Sequence, residues 1–558
     1  MSPQPHIIVV GAGISGMMSA LTLLEEGVNV TLLSFSKKGK SDGLSTRFGF
    51  SASGKEDEIL AHQQETLSAG EFLVNTTFVS EMVKNAFSLG QKLQKWGVPF
   101  ACEEDGSFQH FLGEGQKQSR TLHAGLTTGF YITKTLEARL KAYEADGLLK
   151  HDEEWEFLSL IKNSHGRACG LVAQSRKNFE IKSFAFDAAI FCTGGIGGLF
   201  QTTTQPAHAC GVAVSRLWQE GALLANPEFI QWHPFCLEHA GQYIGMGGLA
   251  RKENARFFVT RAGKPFYLFE ELYPAYKNSL PSLVALRTLK KYFKTEDLGC
   301  QADFSSARKD FFKEGGALLG SLNSGRPFFV KPAVTYWPGG LWVDQTMQTS
   351  LAGVFAAGEC QYQGHGANAL EDNILLSSLF SGVKAAKGAA AYIAAEGVSD
   401  SISQKIQNDE EARQRNIQDE FLNRSGRENP WALFSDLKQD LSDGLGLVRD
   451  LRKLQTTQSK VLELKEKCDQ VFIPDKNIHA NDSYLMARAI KDMVLLGQGL
   501  IAASIARKES RGWHYRSDFP RGDDDHFMKI SRVVYDEKQG PVVGYEDVGD
   551  WQNKLSVA

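Results

Sequence analysis

Ile7-Ile-Val-Val-Gly11-Ala-Gly13-Ile-Ser-Gly16 is a four-residue apolar run that opens directly into G-x-G-x-x-G. A helical stretch from Met17 to Glu26 follows, then Gly27 and a second apolar strand from Val28 to Ser34. Strand, glycine turn, helix and strand in that order begin a dinucleotide-binding βαβ unit. Gly11 is expected in the tight turn, Gly13 where a pyrophosphate meets the backbone, and Gly16 where helix and strand touch. The helix N-terminus then turns its free N–H groups toward the phosphates. The acid that usually ends the second strand is absent, and Ser34 stands there with only a neutral hydroxyl for the ribose.

Two later stretches choose between a nicotinamide and a flavin. Phe186-Asp-Ala-Ala-Ile-Phe-Cys192-Thr193-Gly194-Gly195 is a buried-strand pattern ending in a glycine turn, and Leu351-Ala-Gly-Val-Phe-Ala-Ala-Gly358-Glu359 repeats that form. Flavoproteins with two dinucleotide-binding folds close their FAD site with such strands. Cofactor segments that begin at Gly11 and run on to Ser378 imply a long insertion inside the FAD domain, which a single N-terminal nicotinamide domain would not need.

Composition sets the outer bounds. A chain of 558 residues, 42% hydrophobic and 23% charged, has ample core and room for several domains. Its net charge of -4 disfavours a general nucleic-acid binder. Eight scattered cysteines contain no C-x-x-C pair, so neither a disulfide framework nor an iron–sulfur cluster carried by this chain is expected. The opening Met-Ser-Pro-Gln-Pro-His enters a strand at once, without the pattern of a signal peptide, and a cytoplasmic location is expected. The most apolar stretch, Met493 to Ala506, falls short of the roughly 20 residues of a span. Any membrane contact is therefore expected to run through a partner.

Five further stretches carry a resemblance that covers nearly the whole chain. They are Glu228-Phe-Ile-Gln-Trp-His233-Pro, Gly263-Lys-Pro-Phe-Tyr-Leu-Phe-Glu-Glu-Leu-Tyr-Pro-Ala-Tyr276, Gly339-Gly-Leu-Trp-Val-Asp344, His365-Gly-Ala-Asn368 and Glu509-Ser-Arg-Gly-Trp-His-Tyr-Arg516. Together they resemble the flavoprotein subunit of succinate dehydrogenase and fumarate reductase, most nearly the forms anchored by a single diheme cytochrome b. The resemblance implies an α/β fold with two dinucleotide-binding segments, 1–235 and 339–399, holding FAD. It also implies an α+β capping domain inserted at 236–338 and a helical C-terminal domain at 400–558. An iron–sulfur subunit is the implied partner, because electrons must leave a chain that has a flavin and no cluster cysteines.

Residue-by-residue transfer of the family's site gives an unexpected result. The histidine of its Gln-x-His-Pro motif is His233, but its Thr/Ser-Glu pair falls on Gly247 and Gly248. The arginine that shuttles the proton falls on Ser282, the second histidine on Thr335, and the arginine after His-Gly-x-Asn on Ala369. The serine before the paired leucines becomes Ile374, and the histidine that carries FAD covalently becomes Asp42, so the FAD is expected to be non-covalent. Neutral side chains cannot replace a guanidinium fork on a carboxylate. With Trp232, Phe235, Trp337 and Pro338 around it, the site is expected to take a substrate less polar than a dicarboxylate. His233, Tyr336 and Arg251 or the adjacent Lys252 are the expected polar contacts, and His365 and Asn373 are expected beside the flavin. An FAD-binding subunit without catalysis and an ordinary succinate dehydrogenase remain the alternatives. Leu485, Met486, Ala489, Met493, Leu496 and Leu500 recur at helical spacing over 482–508, and are expected to be core rather than a binding face. The charged run from Lys405 to Arg427 is expected to be a solvated helix and linker.

Overall fold

His6–Val10 lies at the centre of a five-stranded parallel sheet in the order Val354–Ala356, Ala188–Phe191, His6–Val10, Asn29–Ser34, Leu149–Glu153. The computed structural model describes residues 5–37, 47–125, 127–239, 241–277, 280–292, 299–307, 326–397 and 404–548. The three central apolar runs bury both faces, as a parallel sheet covered by helices requires. Helix Ile14–Glu25 follows the first strand directly and packs on helix Glu371–Glu396, where Ser19 donates to the Gly382 carbonyl at 2.9 Å. A β-carbon on Gly382 would sit 2.5 Å from the Ser15 carbonyl oxygen, so the glycine is what allows that approach.

The insertion runs between Ala188–Phe191 and Val354–Ala356. Strand Gln231–His239 pairs antiparallel with Lys331–Tyr336, and a separate four-stranded sheet is built from Lys264–Phe266, Arg256–Arg261, Cys300–Asp303 and Phe328–Phe329. Phe235 stacks on Phe257 at a centroid distance of 3.8 Å and joins the two sheets.

Helices Gln404–Asn423, Pro430–Gly444, Leu451–Cys468 and Asp482–Ala506 form the C-terminal region. The charged helix Gln404–Asn423 is solvated on most of its length and attaches through Glu411 to the Ser183 N–H at 2.8 Å. The region is not wholly helical, because it ends in a hairpin, Lys529–Asp536 with Gly540–Asp547, that extends the small sheet of Leu224–Ala225 and Gly340–Leu341. Arg507 ties the same join, with Nε 2.6 Å from the carboxylate of Glu228, both side chains fully buried. The apolar stretch from Met493 to Ala506, read as too short for a span, belongs to the 25-residue helix Asp482–Ala506, which is long and apolar enough to cross a membrane but has 72% of its most apolar window buried inside the protein.

Candidate active site

A cleft opens at the carboxyl ends of the parallel strands. Its floor is the Gly11–Gly13 turn and the Thr193–Gly195 turn, and its far wall comes from Trp431, Phe434 and helix Asp482–Ala506. Helix Ile14–Glu25 begins here without a side-chain cap and without an acid in its first turn, so its N–H groups are left for an anion. The glycines divide into two kinds. A β-carbon on Gly11 would lie 2.2 Å from the Cys192 carbonyl oxygen, whereas one on Gly13 would meet nothing within 4 Å and would point into open cleft. The buried hydroxyls of Thr193 and Ser378 line the cleft without hydrogen-bond partners. Close backbone, an uncapped helix end and two orphaned hydroxyls suit FAD, the cofactor this fold holds.

Glu359 closes one end of this cleft. It accepts from Gln205 Nε2 and, at 2.8 Å, from the Trp337 N–H. Burial pushes its carboxyl up to about 7. At the opposite end, the Arg176 guanidinium lies 4.0 Å from the Phe35 ring centroid, and His208 stacks on that ring.

Four sequence expectations for the cofactor side require correction, the one for His365 being described with Tyr336 below. Ser34 does not line the cleft, because its hydroxyl donates to the Ser36 carbonyl at 2.9 Å and meets His151 Nε2 at 3.1 Å; Phe35 and Ser36 form the wall instead. Asn373 is likewise engaged elsewhere, with Oδ1 2.7 Å from His62 Nε2 and Nδ2 donating to Thr66 at 2.8 Å. The helical stripe is not purely core, since Leu485, Met486, Ala489 and Met493 face the cleft while Leu496 and Leu500 are buried. Asp42 and the side chain of Lys252 lie outside the described residues.

Where the cleft meets the inserted domain, strand pairing gathers the other candidates. Register sets His233 opposite Ala333, so His233, Thr335 and Tyr336 share one three-stranded sheet, with Gln242–Gly245 on its other edge. His233 Nδ1 accepts from the Phe235 N–H at 3.1 Å, so the ring proton sits on Nε2, which is buried without a partner. Burial, with help from Arg251 and Arg47 against Glu371, lowers this histidine to about 4, and it is neutral at pH 7. Tyr336 packs edge-on against His365 at 5.0 Å, and its hydroxyl is buried without a hydrogen bond of sound geometry. His365 stands behind Tyr336 rather than on the cleft wall, with Nε2 2.9 Å from the Ser377 hydroxyl. Trp337 and Phe235 are packing residues here, the indole N–H of Trp337 donating to the Pro227 carbonyl at 3.1 Å.

Arg251, on the short helix Gly247–Lys252, makes a 2.5 Å ion pair with Glu371. Burial opposes ionisation of Glu371, but the charge of Arg251 first, then those of His233 in its protonated form and of Arg47, outweigh it and hold the carboxyl below its ordinary range. Its neighbour Asp372 is pushed up to about 7 by burial and by the Glu371 charge. Glu114 is raised by burial too, and its carboxylate accepts the backbone N–H of Ser282, which tightens the start of helix Ser282–Tyr292. Ala369 packs in an apolar cluster with Tyr336 and Ile374. Ala369 therefore stands in a dry contact, and Ser282 at a capped helix start.

The sequence reading nonetheless missed one cation. Arg47 is buried and donates from Nη2 to the Thr335 carbonyl at 3.0 Å and to the Thr335 hydroxyl at 3.1 Å. Its charge acts on His233, Tyr336, Glu359 and His365 alike. Its only sequence signal was a charged residue just before an apolar strand.

Comparison with known proteins gives two family matches along the chain. A family model described as an FAD binding domain matches residues 6–375, and one described as the fumarate reductase flavoprotein C-terminus matches residues 435–555. The succinate dehydrogenase flavoprotein subunit of Bacillus subtilis is 32% identical over 98% of this chain and 96% of its own length. The fumarate reductase flavoprotein subunit of Mycobacterium tuberculosis is 29% identical over 98% and 97%. Among solved structures, a quinol–fumarate reductase matches with a TM-score of 0.88 at 23% identity, covering 99% of each chain. An adenylylsulfate reductase from Archaeoglobus fulgidus matches at 0.77 and 16%, covering 99% of this chain and 96% of its own, which extends the shared fold to other chemistry.

Proposed function

Because the chain belongs to the succinate dehydrogenase and fumarate reductase flavoprotein family and is an FAD-dependent enzyme, we propose that it oxidises or reduces a substrate other than succinate. FAD, when bound, supplies hydride transfer at flavin N5. The observation that carries the reading is the dry contact of Ala369 with Tyr336 and Ile374, where a dicarboxylate clamp would need a cation. The neutral Ser282, with its N–H held by Glu114, supports it from the cap.

Loss of one arginine contact to a desolvated carboxylate removes about 3 kcal/mol of transition-state binding, and each 1.4 kcal/mol is about a factor of ten in rate. Two such losses reduce succinate turnover by roughly four powers of ten. The test is anaerobic bleaching of the flavin by succinate and by a panel of less polar acids. Rapid bleaching by succinate overturns the proposal, and bleaching by no acid favours a subunit that binds FAD without catalysis. The FAD is held non-covalently in this reading, since a carboxylate at residue 42 cannot form a histidyl–flavin bond, and acid precipitation should leave a white pellet. Electrons pass to or from an iron–sulfur subunit, through which any membrane association runs.

A further inference from the structure

Two buried guanidinium groups stand where the cleft meets the inserted domain, and they differ in what holds them. Arg251 is neutralised by Glu371 at 2.5 Å. Arg47 gives its Nη2 hydrogen bonds to two neutral oxygens of Thr335, and no carboxylate of the described residues is paired with it. A charge removed from water without a counter-ion is costly, so a site that retains one is shaped for an anion to complete.

Two donors beside it also lack acceptors. His233 Nε2–H is buried and unpartnered, and so is the Tyr336 hydroxyl, the next residue after Thr335. Gly247 lies close against this imidazole and tolerates no side chain: a β-carbon there would lie 2.6 Å from His233 Nε2 and 3.4 Å from Arg251 Nη1. Tyr336 packs with Ala369 and Ile374 in an apolar cluster next to Thr335.

We propose that Arg47 is the anion clamp of this site, with His233 Nε2–H as its second donor, and that the substrate is a monocarboxylate with an apolar body. The inference rests on the reading above that the site works on something other than succinate. One carboxylate satisfies Arg47 and the orphaned imidazole donor together, in charge-assisted hydrogen bonds. A second carboxylate meets Glu371 in front of Arg251, where like charges repel. The apolar cluster then accepts the hydrocarbon end.

The test is titration of the FAD-loaded protein with butyrate, succinate and butyramide, read as perturbation of the flavin absorbance. Butyrate should bind at least about tenfold more tightly than either of the other two. Arg47→Gln should weaken butyrate by roughly ten- to a hundredfold and butyramide much less, and Arg47→Lys should recover part of the loss. Equal butyrate affinity in Arg47→Gln overturns the assignment. So does loss of FAD in both variants, because Arg47 then serves the cofactor. Oxidation of succinate by the unmodified protein removes the underlying reading as well. An unaffected Arg47→Gln protein that still ignores succinate removes only the clamp.

Discussion

A β-carbon on Gly16 would stand 1.8 Å from the carbonyl oxygen of Gly11, well inside any non-bonded contact. Gly13, between them, has nothing within 4 Å of the same position. The three glycines of one motif therefore do different work. Gly16→Ala should push helix Ile14–Glu25 off the sheet and lower the melting temperature of the protein with or without FAD. Gly13→Ala should melt normally without FAD and lose the flavin, read as the ratio of absorbance at 450 nm to that at 280 nm. Equal melting of the two FAD-free variants would contradict this division.

The Arg251–Glu371 pair supplies a second expectation. Glu371→Gln leaves a buried guanidinium without its counter-ion, and removal of one partner of a buried pair costs about 3–5 kcal/mol. A large fall in melting temperature should follow. The double replacement Arg251→Met with Glu371→Leu should recover most of it, because it removes both desolvated charges and keeps the volume. A double variant no more stable than Glu371→Gln would show that the pair is held for some other reason.

The parts of the site that could be read without a structure were those fixed by neighbours in the chain. Gly11, Gly13 and Gly16 answer to their own turn, and the Thr193–Gly195 and Gly358–Glu359 turns follow their own strands. Ser34 and Asn373 failed because a side chain at the right distance along the sequence was already held, by Ser36 and His151 in one case and by His62 and Thr66 in the other. Arg47 was invisible for the converse reason. Its importance comes from Thr335, 288 residues later, brought to it by the pairing of Gln231–His239 with Lys331–Tyr336. The C-terminal hairpin was missed because the helical period of the preceding segment dominated the reading of the region.

Position 369 gives a test of packing. An arginine side chain there must enter the contact between Tyr336 and Ile374, and overfilling a well-packed site costs about 1–3 kcal/mol. Ala369→Arg alone should therefore lower the melting temperature without yielding succinate oxidation. Ala369→Arg with Ile374→Ser should melt closer to the parent, since the shorter side chain makes room. Succinate binding by the single variant, seen in the flavin spectrum, would place the apolar wall elsewhere.

Asp372 sets a pH dependence of definite sign. Its carboxyl is raised to about 7 from an ordinary 3.8, by burial first and then by Glu371, so folding favours the protonated form. The stability this gives is complete below pH 3.8 and is lost as the pH rises to about 7. Asp372→Asn keeps an oxygen to accept from Thr121 and Gln116 and cannot ionise. It should match the parent at pH 4 and exceed it at pH 8, by on the order of 4 kcal/mol, in thermal or denaturant melts across that range. The same difference at both pH values would mean that ionisation is not its source.

Glu228 is fully buried among the cofactor segments, yet its cation, Arg507, lies 279 residues further along the chain. At about 5–20 residues per second, a ribosome needs roughly 15–55 seconds to make that interval. For that time the nascent chain carries an acid that cannot be packed away as an ion. The first half of the protein must wait, open or held by a chaperone, for its own last tenth. A truncation before Arg507 would leave that half permanently in the waiting state, with its FAD-binding glycines present and its interior unfinished.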